Sequence, residues 1–269
     1  MRIMVVLLMF ASTLFAADEP VVTRIGDYTF SVAPVQDGMA HELTVFKRDK
    51  VLWTLSDFLV TVLNSDSLGI ARDLTGDRVP DAIVETYSGG AHCCFAQYIV
   101  ALGTKFEVLD TVYHGGRWSD SDGDGLWEVT VNDLTFDYWK LPHSDSPLPE
   151  VILEATRKGF VPNAELMQAR TPTASEVLAM LRASRDGKLW KDYTTLAEDE
   201  FLPGAMAELH RDFVTLLYQG QGALALELLD TGWPLFIPGR AEYVADVLAL
   251  VRKSPYAEVL GELNAGIVQ

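Results

Sequence analysis

Two short acidic loops, each directly before an alternating apolar segment, constrain the fold of this chain more than any other feature. The first loop is residues 73–81 and the second loop is residues 120–128, and each has oxygen-bearing side chains at positions 1, 3, 5 and 9. Ca²⁺ takes about six to eight oxygen ligands, so this spacing is typical of a calcium-binding loop. The alternative is a pair of Asp/Gly turns whose carboxylates are only solvated.

The segments that follow the two loops identify the kind of structure each loop enters. An EF-hand is excluded because it needs a bidentate Glu at position 12, where this chain has Val84 and Val131. Residues 82–87 and 129–131 instead alternate between apolar and polar side chains, which is the pattern of a half-buried strand. The sequence therefore predicts two loops that each lead into a β-strand.

This arrangement of a loop at the entry to a strand resembles the FG-GAP or VCBS repeats of integrin-type β-propellers. The resemblance implies one or two bound Ca²⁺ ions. In the second loop it implies ligands from Asp120, Asp122, Asp124 and Glu128 and from the Leu126 carbonyl; the corresponding first-loop residues are Asp73, Thr75, Asp77, Val79 and Asp81.

The first loop departs from the family pattern at two positions. Thr75 stands at position 3 in place of an acid, and Arg78 stands at position 6 in place of the usual glycine. Glycine permits positive φ, a conformation that costs another residue about 1 kcal/mol or more. The resemblance is therefore closer in the second loop than in the first.

The N-terminus predicts where the protein works. Arg2 precedes the apolar residues 3–10, and small residues follow up to Ala17, which is the layout of a secretory signal peptide at residues 1–17. The apolar run is too short to span a bilayer, so we expect no transmembrane segment after cleavage. The alternative is an apolar N-terminal strand. We expect a periplasmic or secreted protein.

The two cysteines of the chain, Cys93 and Cys94, are adjacent. An oxidising compartment favours a disulfide between them, although bonding neighbours requires a distorted turn because successive Cβ atoms of a strand point to opposite faces. Two free buried thiols, or a soft-metal or Cys–His nucleophilic site with His92, are the alternatives. The segment 88–94, Ser-Gly-Gly-Ala-His-Cys-Cys, resembles one found in exported bacterial proteins of unassigned function.

Residues 18–162 are predicted to form a mainly antiparallel β domain. The two loops are 47 residues apart, a spacing that suits one propeller blade, and this part of the chain has room for about three such blades. A closed propeller needs about four to eight blades, so we expect an open stack of sheets or a sandwich. Strands are predicted within 28–32, 43–46, 82–87, 95–102, 106–109 and 129–131.

The C-terminal part is predicted to be an α-helical bundle, residues 173–269, joined by a linker at 163–172. The fold class is therefore α+β with two domains. Thr173 and Glu176 have the spacing of a capping box, and Gly187 follows as a stop signal. Further helices are predicted near 189–197, 203–218, 223–229, 240–251 and 255–263, with core positions Phe213, Leu216, Leu217, Val244, Val247, Leu248 and Val251.

Charge and the absence of motifs limit the function. The net charge of −17 makes binding to a phosphate backbone unfavourable, so nucleic acid is excluded as a partner. We found none of the common nucleophile, zinc-protease, P-loop or dinucleotide motifs. We therefore expect a calcium-binding module that binds a protein or glycan partner in the bacterial cell envelope, rather than an enzyme.

The alternative function is a periplasmic hydrolase. Its site would lie near His92, with His114 and Trp118 as further candidate ligand-site residues. The other histidines, His41, His143 and His210, are expected at the surface or at helix ends and receive no role.

Overall fold

A computed structural model describes residues 19–35, 38–63, 72–90, 94–156, 159–184 and 204–268. The chain divides into two compact units, Met1–Thr61 and Val62–Gln269. The predicted signal peptide, the predicted helix near 189–197, His92 and Cys93 lie outside the described residues. Among the described helices, none is both long enough and apolar enough to cross a bilayer.

The first unit is built on an antiparallel sheet of four strands in the order β1-β2-β3-β4. The strands are β1 (Val21–Ile25), β2 (Tyr28–Val35), β3 (Ala40–Lys47) and β4 (Lys50–Asp57). Phe30 lies opposite Val45, and Val32 lies opposite Leu43. These side chains are buried because residues two apart in a strand share one face, and this face carries the apolar residues.

Two further sheets of four strands follow, with the orders β5-β6-β7-β8 and β12-β11-β10-β9. The strands are β5 (Leu59–Val62), β6 (Asp81–Tyr87), β7 (Phe95–Leu102), β8 (Phe106–Tyr113), β9 (Arg117–Ser119), β10 (Glu128–Asn132), β11 (Glu150–Thr156) and β12 (Gly159–Pro162). The boundary between the two units falls within β5. The prediction of about three open antiparallel sheets is confirmed, as are the predicted strand positions.

The described helices lie where the sequence predicted them, with one addition. They are α1 (Ala164–Gln168), α2 (Ala174–Ser184), α3 (Gly204–Tyr218), α4 (Gly222–Gly232), α5 (Arg240–Val251) and α6 (Ala257–Leu263). The capping box before α2 is present: Thr173 N donates to Glu176 Oε2 at 2.7 Å, and Glu176 N donates to Thr173 Oγ1 at 3.4 Å. The fold class α+β is confirmed.

A division of the chain at 163–172 into separate β and helical domains is not confirmed. The predicted linker contains α1, which Asn163 caps by accepting from Leu166 N at 2.9 Å, and Met167 is buried. One hydrophobic core contains strand residues such as Val129 and helix residues such as Phe213. The apolar faces of the helices are therefore buried in the same core as the strands.

A buried glutamine connects the second sheet to the third. Gln97 on β7 donates from Nε2 to Glu85 Oε2 at 2.7 Å and to the Gly116 carbonyl at 3.3 Å. Its Oε1 accepts from Trp118 Nε1 on β9 at 2.8 Å. A Cβ on Gly116 would lie 2.9 Å from Gln97 Oε1 and 2.4 Å from a methyl of Val129, so only glycine fits there.

A buried carboxylate, Asp133, joins three distant parts of the chain just after β10. Its Oδ1 accepts from Thr135 N at 2.8 Å and from Thr135 Oγ1 at 2.6 Å. Its Oδ2 accepts from Tyr218 Oη on α3 and from Ser254 Oγ after α5, each at 2.5 Å. Burial, together with the charge of Asp133, raises the pKa of Tyr218, so its hydroxyl stays protonated and donates. We call these four residues the Asp133 cluster.

Replacing Asp133 should cost far more stability than removing one of its donors. Asp133→Ala leaves three hydroxyls without their acceptor, two of them on the buried residues Tyr218 and Ser254, and we expect it to lower the free energy of unfolding by about 3–5 kcal/mol. Tyr218→Phe removes one hydrogen bond to a charged group, worth about 2 kcal/mol. Urea unfolding measures both; Tyr138→Phe, at an exposed tyrosine, is the control. Equal losses in the two test variants would contradict the role of the cluster.

The prediction that His210 lies at the surface or a helix end is wrong. His210 is fully buried on α3, and its Nδ1 lies 2.7 Å from Tyr243 Oη. The rings of Trp139 and Phe136 lie 5.1 and 5.7 Å from its ring. Burial lowers the pKa of His210 to about 3, with a smaller contribution from the positive charge of Arg211. The pattern of apolar residues on α3 did not predict the burial of His210, because helical periodicity does not distinguish a buried His from an exposed one.

His210 should make the protein less stable in weak acid. Its pKa is about 3 when folded and about 6.5 when unfolded, so the unfolded chain binds the proton first as the pH falls. The stability from the neutral ring is complete above pH ~6.5 and is lost progressively toward pH ~3. Between pH 7 and 5 we expect wild type to lose about 2 kcal/mol more than His210→Gln in urea unfolding. His41→Gln is the control, and parallel curves for wild type and His210→Gln would refute the assignment.

Candidate metal centre

The two acidic loops occupy equivalent places in their sheets. The second loop connects β9 to β10, and the first loop leads into β6, so each ends at the second strand of a sheet. Position 9 of each loop is the first residue of that strand: Asp81 begins β6 and Glu128 begins β10. These two acids are 1% and 3% exposed, respectively. A buried carboxylate therefore stands at the same point in both sheets.

The carboxylate at position 1 folds both loops in the same way. Asp73 Oδ1 accepts from Gly76 N at 2.7 Å, and its Oδ2 accepts from Arg78 N at 2.8 Å. Asp120 repeats this pattern, with Gly123 N at 2.7 Å and Gly125 N at 3.2 Å. In each loop the first acid thus accepts from the amides of positions 4 and 6.

The position 6 backbone has positive φ in both loops, although only one of them has glycine there. Gly125 has φ 91° and Arg78 has φ 67°. The expectation that position 6 needs this conformation is confirmed at Arg78, which adopts it without the freedom of glycine. A left-handed conformation costs a residue with a Cβ about 1–2 kcal/mol, so the first loop holds its shape against a local strain.

Positions 5 and 9 also match between the loops. At position 5, Asp77 Oδ1 accepts from Val79 N, and Asp124 Oδ1 accepts from Leu126 N, both at 2.7 Å.

The acid at position 9 accepts from the amide of position 2 in both loops. Asp81 Oδ2 accepts from Leu74 N at 2.8 Å, and Glu128 Oε2 accepts from Ser121 N at 2.6 Å. Together with position 1, three acids in each loop therefore hold the same backbone turn.

The second loop brings three carboxylates together at the surface. Asp120, Asp122 and Asp124 each place one oxygen within 4.8 Å of the others. All three are exposed, and Asp122 Oδ1 also accepts from Asp124 N at 3.0 Å. Three carboxylate oxygens this close repel one another, and a hard divalent cation is the partner that would relieve the repulsion.

The first loop contains an unpaired buried oxygen. Asp81 Oδ2 accepts from the amide of Leu74, whereas Asp81 Oδ1 is buried without a hydrogen-bond partner. The pKa of Asp81 is raised to about 6, mainly by burial; the Leu74 amide opposes this shift, and the nearby carboxylates of Asp77 and Asp73 contribute to it. A buried carboxylate oxygen without a donor is costly, so the residues of this loop fit a cation.

The two loops lie against each other. A Cβ built on Gly76 would be 2.7 Å from Leu126 Cδ2, so the Leu126 side chain covers the Gly76 backbone. The guanidinium of Arg72, just before the first loop, lies 4.6 Å from the centroid of the Trp127 ring in the second. The sequence did not predict this contact, because the residues involved are about 50 positions apart and lie in loops that lead into different sheets.

A cleft of about 390 Å³ lies elsewhere in the second unit. His114, Asn132, Phe160 and Tyr256 are among its lining residues, together with Asp110. Asp110 Oδ2 accepts from Phe160 N at 2.7 Å, and this bond connects β8 to β12. Apart from His114, no motif marked these residues, since the cleft is formed by segments far apart in sequence.

The predicted ligand-site residues are only partly brought together. His114 lines the cleft, whereas Trp118 packs edge-on against Phe160, with 5.3 Å between the ring centroids. His92, on which the hydrolase alternative depends, lies outside the described residues, as does Cys93. Cys94 has φ 89°, a distorted backbone like that expected for a bond between neighbouring cysteines. The Cys93–Cys94 disulfide stays a prediction.

Comparison with known proteins gives no relative from which a role could be transferred. No protein-family model, no curated protein and no solved structure matches the chain. The resemblance to FG-GAP or VCBS repeats therefore rests on the residues of the two loops and stays a prediction.

Proposed function

We propose that this chain is an exported calcium-binding protein that acts as a binding module in the bacterial cell envelope, either periplasmic or secreted. The observation that carries the proposal is the unpaired, buried Oδ1 of Asp81 in the first loop. The backbone of this loop has the same internal hydrogen-bond pattern as the second loop. We would not expect two unrelated solvated turns to have the same hydrogen-bond pattern.

The ligand set favours calcium over other metals. The candidate donors in both loops are carboxylate, hydroxyl and carbonyl oxygens, with no His or Cys, and zinc prefers nitrogen and sulfur. Mg²⁺ demands a tight octahedron and usually keeps several waters, whereas Ca²⁺ accepts irregular sets of oxygens. One ion would be held in the first loop by Asp73, Thr75, Asp77, Asp81 and the Val79 carbonyl. The other would be held in the second loop by Asp120, Asp122, Asp124, Glu128 and the Leu126 carbonyl.

The cleft supports the binding role. It combines a carboxylate, Asp110, and an amide, Asn132, with the rings of Phe160 and Tyr256. Such mixed polar and aromatic walls suit an uncharged polyhydroxyl ligand, which stacks on rings and forms many hydrogen bonds. A glycan of the cell envelope is the partner with this chemistry, and the net charge of −17 disfavours nucleic acid.

Calcium should stabilise the protein, and the two loops should contribute unequally. At about 100 times its dissociation constant, an ion bound only by the folded state adds about 2.7 kcal/mol. We expect EDTA to lower the Tm, and the strands and helices of the second unit to melt together because they share one core. Asp124→Ala should remove more of the calcium response than Thr75→Ala, because it deletes a charged ligand.

Scanning calorimetry with and without EDTA measures this response, and elemental analysis counts the bound metal. His41→Gln, outside both loops, is the control and should respond like wild type. Unchanged melting in EDTA together with no bound metal would refute the calcium site.

The cleft should bind a glycan through its polar walls. We expect a glycan array to find a ligand, and Asn132→Ala and Tyr256→Phe each to weaken its binding roughly two- to tenfold, the effect of losing one neutral hydrogen bond. Calorimetric titration of the strongest array ligand measures this effect. Tyr138→Phe, at an exposed tyrosine outside the cleft, should bind like wild type. A ligand whose affinity is the same for all variants would place the binding surface elsewhere.

A further inference from the structure

The contact between the two loops involves residues that are themselves part of the proposed cation sites. Leu126 stands at position 7 of the second loop, where its carbonyl would be a cation ligand, and its side chain covers Gly76 of the first loop. Gly76 N in turn donates to Asp73 Oδ1, at position 1 of the first loop. Leu126 therefore links a candidate cation ligand of the second loop, its own carbonyl, to the backbone of the first loop at Gly76.

A second contact joins the loops at their bases. The Arg72 carbonyl accepts from Asp81 N at 2.9 Å, which closes the two ends of the first loop. The guanidinium of the same residue lies over the ring of Trp127, between the candidate ligands Leu126 and Glu128. The two loops thus support each other both at the tip and at the base.

We propose that the two loops bind their cations with positive cooperativity, so that filling one loop raises the affinity of the other. This inference rests on the proposed calcium-binding function. A cation in the first loop fixes Asp73 and Asp81, and with them Gly76 and Arg72, the surfaces on which Leu126 and Trp127 pack. The second loop then loses less conformational freedom when it closes on its own cation.

Electrostatic repulsion between the two cations acts against this coupling. The tips of both loops, residues 76–78 and 120–126, are exposed, and at physiological ionic strength charges between exposed groups are screened over about 8 Å. The packing contacts are not screened by salt, so they decide the sign of the coupling. Raising the salt concentration should therefore increase the cooperativity while it weakens the affinity of both sites.

The test is a calorimetric titration of Ca²⁺ into the purified protein after metal has been removed with a chelator. Wild type should bind two ions with a Hill coefficient above 1. Asp77→Asn, which weakens the first loop, should lower the affinity of the second loop by at least about fivefold, the lower end of typical allosteric coupling. Asp124→Asn should lower the affinity of the first loop by the same factor, because coupling between binding sites is reciprocal.

Leu126→Ala separates the coupling from the binding, because it keeps the carbonyl and removes the contact. Its control is Leu235→Ala, which makes the same truncation at an exposed leucine outside both loops. Leu126→Ala should bind two ions independently, and Asp77→Asn in that background should no longer affect the second loop. Leu235→Ala should keep the cooperativity of wild type.

The possible outcomes separate this inference from the function on which it rests. Wild type that binds no calcium would refute both. Wild type that binds two ions independently or with negative cooperativity, or that binds a single ion, would overturn the inference and leave a calcium-binding protein. Cooperativity that is unchanged in Leu126→Ala would show that the loop contact does not carry the coupling and would also overturn it.

Discussion

The Asp133 carboxylate is the interaction on which the second unit depends. It lies just after β10, is 3% exposed, and accepts four hydrogen bonds from residues on the loop after β10, on α3 and on the turn after α5. A buried carboxylate is tolerated only when donors replace the lost water, and here each oxygen receives two. The cluster fixes how the third sheet and the helices pack, because Tyr218 and Ser254 reach the same oxygen only in one arrangement of α3 and α5. The two hydrogen bonds from Tyr218 and Ser254 are the long-range ones, since these residues are 85 and 121 positions from Asp133.

The acidic loops show a second, opposite use of buried carboxylates. In the Asp133 cluster both oxygens are satisfied by the protein, whereas in the first loop Asp81 Oδ1 is buried and unpaired beside two further acids. The unfavourable free energy of this buried oxygen is offset by packing of the hydrophobic core, which contains Leu74 and Ile83 on either side of Asp81. An energetic deficit confined to a single loop is the kind of local conflict that is common at binding sites. The contact of this loop with Leu126 and Trp127 extends its influence to the second loop.

Local patterns predicted the described helices other than α1, and six of the described strands: β2, β3, β6, β7, β8 and β10. They could do so because the interactions that form these elements span only a few residues. Alternation over 82–87 and 95–102 predicted β6 and β7, and Thr173 with Glu176 predicted the start of α2. The spacing of acids predicted where the loops begin, and the need for positive φ at position 6 appears at Arg78. The same reasoning failed for His210, since burial of a helix face depends on which element covers it. Tyr243, which lies against His210, is 33 positions away in sequence.

The sequence by itself determined the α+β class, the open antiparallel sheets and the two acidic loops at the entries to strands, because periodicity, capping and oxygen spacing are local properties. Only the tertiary structure decided that strands and helices share one core, that Asp81 keeps an unpaired oxygen, and that Leu126 covers Gly76. It also decided which segments form the cleft with His114. Leu126 and Gly76 are 50 positions apart, and the core residues Val129 and Phe213 are 84 positions apart. Contact between such distant residues is a property of the packed chain and leaves no periodic signal in the sequence.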